Sequence, residues 1–381
     1  MANGLRAVID VDGLDEVITR LRVQGFSTIG PTCRDGAIVY DEIEATGELP
    51  RGWADDQDAG TYRLVRRDDE ALFGYAVGPH SWKQYLHPPG ELLFEVRRDG
   101  GGFVIEERPE PKSRYAFIGV RACELAAIGV QDRVLVESEH PAGGYSVRRG
   151  EAFLLAVDCG EPGGSCFCVS MGTGPGVSSG FDLALTELMS GEHRFLVRVG
   201  SDAGAAVLGE VASREATGED LAEARRVVEM AGARMGRHLD TDGLPVLLAE
   251  NLEHPRWDDV ARRCLTCTNC TLVCPTCFCS TVEDLTTLDG QRAQRWQRWD
   301  SCFTLGFSEL HGSPVRHSTR GRYRQWLTHK LGTWWEQFGE SGCVGCGRCI
   351  TWCPVGIDMT AEVAALRRPG VDASANPEEV R

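Results

Sequence analysis

The chain has 381 residues, of which 42% are hydrophobic and 25% charged, and its formal net charge is −16. These proportions describe a globular protein with substantial cores and exclude a wholly disordered or fibrous chain, while the negative charge argues against nucleic-acid binding, which needs a basic face. No stretch approaches the roughly twenty apolar residues that span a bilayer, and MANGLRAVIDVDGLDEV lacks the basic start of a secretory signal, so the expected location is the cytoplasm, where sixteen cysteines read as metal ligands rather than disulfides.

In chain order, the first half alternates short apolar runs with helical segments. GPHSWKQYLHPP, with His80 and His87, reads as an aromatic packing segment, since none of the nine histidines stands at metal spacing with another ligand. Tyr115 to Arg121 (YAFIGVR) predicts a strand leading into the helix ACELAAIGVQDR, and Phe153 to Val157 and Phe195 to Val199 predict two more buried strands. Asp220 to Met235 has helical spacing with Asp220 as N-cap, and is expected to bridge towards the carboxy-terminal part. From Leu244 the pattern is helix, break at Pro255, helix, delivering Cys264 at a helix end. The expected class is α+β: an α/β domain over 1–240, a mainly helical dicluster ferredoxin-like domain over 241–368, and a polar tail of little order from Pro369 to the end at 381.

The strongest signal is a duplicated run. Cys264, Cys267, Cys270 and Cys274 precede Pro275, and Cys343, Cys346, Cys349 and Cys353 precede Pro354. Each copy is C-x2-C-x2-C-x3-C-P. Three thiolates at that spacing wrap one iron–sulfur cube, and the fourth reaches the cube of the other run. Two 4Fe–4S clusters are expected, one on Cys264, Cys267, Cys270 and Cys353, the other on Cys343, Cys346, Cys349 and Cys274. Zinc is the competing occupant, because C-x2-C pairs also frame zinc, but zinc needs four ligands in two pairs and leaves the third equally spaced cysteine unexplained.

Between the runs lie 68 residues (275–342), more than a small two-cluster ferredoxin needs, with five of the nine tryptophans: Trp296, Trp299, Trp326, Trp334 and Trp335. They are expected to pack around the cubes and exclude water. From Gln291 to Lys330, eight Lys or Arg stand against Asp300 and Glu309. A solvated helical face that also offsets the thiolates is the expectation, with a docking patch for an acidic partner as the alternative.

Eight cysteines remain. Cys159, Cys166 and Cys168 lie in DCGEPGGSCFCVSMGTGPG, a glycine-rich loop after a strand whose amides can approach cluster sulfurs, and Cys123 lies at a strand-to-helix turn. Together they can make a four-thiolate site for a third cluster, against buried thiols in a structural loop. The glycines do not form G-x-G-x-x-G, so a dinucleotide fingerprint is unsupported, and a flavin on this domain is left open. Cys277, Cys279 and Cys302 stand beside the first run, either packed there, an alternative ligand set or a reactive pair. Cys33 has no partner signal. No hydrolytic triad or P-loop is found, so no catalytic residue is assigned.

CTNCTLVCPTCFCS, RWDSC, CVGCGRCITWCP, VRACELAAIG and DCGEPGGSCFC together resemble the beta subunits of cytoplasmic sulfhydrogenases, nickel-iron hydrogenases coupled to NAD(P), and also the iron–sulfur electron-transfer component of anaerobic sulfite reductase. The resemblance runs from about residue 70 to 366 and is weak before it. It implies an electron-transfer subunit without its own catalytic centre. Implied partners are a flavin subunit that exchanges hydride with NAD(P)H, and the small and large subunits of a hydrogenase, or else the sirohaem subunit of a sulfite reductase. The readings from other classes are a flavin- or thiol-active enzyme with an attached ferredoxin module, and a zinc scaffold.

Overall fold

The computed structural model describes residues 6–76, 78–107 and 114–368; the expectation for the tail from Pro369 lies outside them. Eight strands form one mixed sheet in the order Arg214–Glu215, Arg6–Asp10, Arg194–Val199, Leu183–Leu188, Phe153–Val157, Tyr115–Arg121, Ser27–Arg34, Ala37–Glu42. The four strands from Leu183–Leu188 to Ser27–Arg34 run parallel and the rest pair antiparallel. Phe153–Val157 is buried at every residue, as a parallel strand covered on both faces must be. Helix Val11–Val23 turns Leu14, Val17, Ile18 and Leu21 into the core on one face. The three strands read from the sequence are all present.

Helix Gly218–Ala233 covers the other face, against Leu183–Leu188 and Arg194–Val199. Its N-cap is Thr217, not Asp220. The Thr217 hydroxyl accepts from the Asp220 amide, and the Asp220 carboxylate accepts from Thr217 N–H, a capping box that starts the helix one turn earlier than the apolar periodicity indicates. The helix body therefore serves the sheet, and the bridge is made just past its end, where Met235 packs with Trp334, Val344 and Cys346. Arg237 extends it, donating to Gly164 O (2.8 Å) and to Asp358 (2.6 Å), and pairing with Asp58.

The carboxy-terminal part has its own core, in which Leu248, Trp257, Val260, Phe303, Tyr323, Trp326 and Leu331 pack together. It is not built from helices alone. Ser280–Thr286 and Arg292–Trp299 form a hairpin, and the second strand pairs with Gly90–Asp99, which pairs with Gly102–Glu107. One antiparallel sheet thus joins strands from both sides of residue 240. This also corrects part of the expected helical basic face: Arg320, Arg322 and Arg324 do lie on helix Thr319–Thr328, but the earlier arginines do not. Arg292, Arg295 and Arg298 lie on a strand; Arg295 and Arg298 pair across the hairpin with Asp284 (2.7 Å) and Glu283 (2.8 Å). Arg320 and Arg324 pair with Glu253, and Lys330 is buried, so the local excess of charge is largely neutralised in place.

Of the five tryptophans, Trp326 and Trp334 are buried as expected; Trp296 and Trp299 are half-buried on the hairpin, and Trp335 is exposed. Helix Thr319–Thr328 continues through a π-helical turn, His329–Thr333, into Trp334–Phe338. Such turns are rare and re-aim side chains. This one directs Lys330 inward. In the segment expected to pack aromatics, Trp82 is fully buried and stacks on Tyr40 at 3.8 Å. His87 is buried behind Trp299, whose indole N–H donates to His87 O at 2.8 Å. No helix among the described residues is long and apolar enough to cross a membrane.

Candidate metal centre

The two cysteine runs fold into the same loop. In the first, helix Arg256–Arg263 ends with Cys264 as its C-cap, Thr266 and Thr268 take positive φ (50° and 68°), and a short helix, Asn269–Leu272, carries Cys270. In the second, Gly345 and Gly347 hold the corresponding places at φ 66° and 74°, and Arg348–Thr351 carries Cys349. Left-handed turns two and four residues after the first cysteine bend the chain so that successive thiols face one point. A β-branched threonine there is an outlier, and such strain collects at functional sites. Backbone amides complete the loops: Thr266 N–H points at Cys264 Sγ (3.4 Å), Gly345 N–H at Cys343 Sγ (3.5 Å) and Ile357 N–H at Cys353 Sγ (3.3 Å).

The fourth cysteines cross over. Cys353 faces Cys264 and Cys270, with Cys267 beside them, and these four, together with Cys349 of the second run, line one cavity closed by Phe303, Tyr323 and Trp326. Cys274 faces Cys343, Cys346 and Cys349. Asn269 fixes the crossing by donating to Trp352 O, next to Cys353, at 3.1 Å. Burial pushes the Cys264, Cys270 and Cys349 thiols up, and the Cys343 thiol to about 12. Thiolates in such a place need a bound cation. Among the described residues, no set of three or more Cys, His, Asp or Glu closes on a single metal ion. Each loop offers three thiols at equal spacing with a fourth from the other run, a donor set that suits a cube better than the two pairs of a zinc site.

The second loop is pressed against the glycine-rich loop of the first half. Phe167 N–H donates to Gly345 O (2.8 Å), and a Cβ on Gly345 would stand 2.7 Å from Phe167 O. Gly347 meets Ser165 O so closely that a Cβ there would overlap it. At the equivalent places of the first loop Thr266 and Thr268 are only half-buried, and threonine is tolerated. Arg348, between two second-run cysteines, is fully buried; it donates to Gly78 O (3.0 Å) and to Glu124 Oε1 (2.5 Å). Glu124 also accepts from Tyr40 (2.8 Å), Trp82 (3.0 Å) and the Arg121 amide (3.2 Å).

Sequence reasoning missed the buried cations. Lys330 Nζ donates to Thr276 Oγ1 (2.7 Å), which lies 3.2 Å from Cys274 Sγ. Burial works against its charge, but the thiols of Cys274, Cys277 and Cys343 outweigh that and hold its pKa above the ordinary lysine value. Lys83, also buried, lies over Trp299 (3.9 Å) and donates to Leu272 O (3.3 Å). Lysine reads as surface in a sequence; the one available hint was its place in the tryptophan-rich insertion. Cys277 is hydrogen-bonded to Cys274, and Cys279 to Cys302, the two ends of the hairpin bringing the latter pair together. The bond from Cys302, against burial and aided by Lys330, brings Cys279 down to about 7. Cys33 is exposed.

The remaining candidates, Cys123, Cys159, Cys166 and Cys168, line a single small cavity with Arg121 and Met235. Cys123 follows strand Tyr115–Arg121 and Cys159 follows Phe153–Val157, with Arg121 and Val157 paired in register, so both emerge at the carboxyl edge of the parallel sheet. Asp158 fastens the loop there, accepting from Val177 N–H (2.7 Å), Thr186 (2.6 Å) and Arg198 (2.9 Å).

Residues 263–357 match the family described as 4Fe-4S dicluster domain. Sulfhydrogenase 2 subunit beta of Pyrococcus furiosus is 31% identical over 312 residues, covering 81% of this chain and 89% of the relative. No solved structure matches the chain. With two cysteine loops of one design, and similarity that runs through most of both chains, the protein belongs to the sulfhydrogenase beta-subunit family and carries a 4Fe–4S dicluster domain.

Proposed function

We propose that the chain is the iron–sulfur electron-transfer subunit of a cytoplasmic multisubunit oxidoreductase, relaying single electrons between a flavin subunit that reacts with NAD(P)H and a nickel-iron hydrogenase. The observation that carries this is the pair of matching loops with exchanged fourth cysteines, Cys353 among the first run's thiols and Cys274 among the second's. Cys264, Cys267, Cys270 and Cys353 hold one cube, and Cys343, Cys346, Cys349 and Cys274 the other. Each cube, when bound, changes by one electron, which lets a two-electron hydride donor feed a one-electron path.

The chain's own residues supply placement, amide hydrogen bonds to sulfur and buried positive charge, the levers that set potential. The first loop also reaches the surface: Cys267 is exposed, and Leu265, Leu272 and Val355 beside it are exposed apolar residues. A contact of this kind suits transient exchange with a partner subunit. No catalytic residue is assigned to the chain.

The test is anaerobic purification of the chain with its native partners, followed by addition of NAD(P)H. Bleaching of the visible iron–sulfur absorbance that requires the flavin subunit, in a complex containing nickel, supports the proposal. A sirohaem subunit in place of nickel would move the chain to sulfite reduction. Zinc without acid-labile sulfide, or NAD(P)H oxidation by the chain alone with its own flavin, would overturn it.

A further inference from the structure

We infer that Cys123, Cys159, Cys166 and Cys168 hold a third iron–sulfur cluster of the 4Fe–4S class, at the carboxyl edge of the parallel sheet and next to the second cysteine run. Four thiols from three separate stretches of chain converge on one cavity whose remaining lining is almost wholly apolar. The sheet register brings Cys123 and Cys159 to the same edge, where ligands of open parallel sheets sit. The Cys166–Cys168 turn closes over them, with Cys166 N–H bonded to Gly163 O (3.0 Å).

The charge arrangement fits a polythiolate cluster. Arg121, 2% exposed, lies along the cavity and donates to Phe73 O (2.8 Å) and Tyr75 O (3.0 Å), while its buried Nε has no protein partner. A buried guanidinium beside four thiols offsets the negative charge that such a cluster carries. Four cysteines kept only for packing would not need it.

The site adjoins the second run. Cys346 lines the same cavity, Cys166 Sγ lies 3.8 Å from Cys346 O, and a Cβ on Gly345 would stand 2.7 Å from the Cys168 amide nitrogen. The inference therefore extends the relay proposed above, and only the electron path, not the ligand set, rests on that proposal. The second run lies between the exposed first loop and this third site in the α/β part.

Iron and acid-labile sulfide, counted in the full chain purified or reconstituted anaerobically, test it. About twelve irons per chain are expected in the wild type, and about four fewer in Cys166→Ala and in Cys159→Ala. Both variants should keep the electron paramagnetic resonance of the other two clusters, with the broadening from spin coupling to the third removed. About eight irons in the wild type and in both variants would overturn the third site while leaving the two-cluster relay intact. No iron at all would overturn both. Should a variant fail to fold, the wild-type count alone decides.

Discussion

Gly347→Ala and Thr268→Gly change equivalent positions of the two loops in opposite directions, and their effects should differ in sign. At Gly347 the φ of 74° costs a residue with a side chain roughly 1–2 kcal/mol. The new Cβ would also overlap Ser165 O. That carbonyl has nowhere to go, because Ser165 is fully buried and its hydroxyl is held by Thr351 (2.5 Å) and Gln57 (3.1 Å). Overpacking against a fixed group adds about 1–3 kcal/mol. Gly347→Ala should therefore lose about 3 kcal/mol, which lowers the melting temperature of a domain of this size by roughly 6–12 °C. Thr268→Gly relieves roughly 1–2 kcal/mol of left-handed strain at φ 68° and gives back about 0.4–1 kcal/mol through a freer unfolded chain, leaving it neutral or slightly stabilised. Anaerobic thermal melts followed by circular dichroism, with iron content measured alongside, read both. A Gly347→Ala protein within about 1 kcal/mol of the wild type, or a Thr268→Gly protein destabilised by more than that, would refute the argument that backbone conformation and docking select these residues.

Arg348→Ala should destabilise the chain by about 3–5 kcal/mol, because it leaves the Glu124 carboxylate buried without its cation, whereas Arg348→Ala combined with Glu124→Gln should recover part of the loss in the same melts. Lys330→Met removes a positive charge hydrogen-bonded towards Cys274, and redox titration should find the potential of the second-run cluster more negative by on the order of 100 mV, with the first-run cluster shifted less. Burial lowers the His87 pKa to about 4 from an unfolded value near 6.5, so the unfolded chain binds the proton first as pH falls. Stability should then be complete above about pH 6.5 and decline towards pH 4 by on the order of 2–3 kcal/mol. Replacing His87 by Leu should flatten denaturation midpoints across that window, and an unchanged slope would contradict it.

The cysteine runs were legible because their spacing is itself the geometry: a ligand every three residues dictates the loop, and the proline after the fourth cysteine dictates where it stops. Cys264 at a helix end and the strands at 115–121 and 153–157 followed from local pattern alone. The hairpin did not: a turn at Asp289–Gly290 precedes it, but in RAQRWQRW the apolar residues Ala293, Trp296 and Trp299 fall every third position and not every second, so the strand period is missing from the sequence. Its arginines suggested a solvated helical face, and it is a strand because it pairs on one side with Ser280–Thr286 and on the other with Gly90–Asp99, almost two hundred residues away in sequence. Asp220 shows the same limit on a smaller scale, since the cap lay three residues before the apolar pattern began. Lys330, Lys83, Arg121 and Arg348 were missed because a single sequence cannot show that a cation is buried. That Cys123 and Cys159 meet depends on the register of two parallel strands, which no local pattern records.

The account stands or falls on the exchanged ligands, and the comparison of four single variants addresses them directly. Cys353→Ala and Cys267→Ala, reduced and measured by electron paramagnetic resonance, should leave the same residual spectrum, because both thiols line the first-run cavity. Cys274→Ala and Cys346→Ala should share a different one, because Cys274 faces the second-run thiols. A Cys353→Ala spectrum that matches Cys346→Ala instead would show each run closing on its own cube and contradict the crossing.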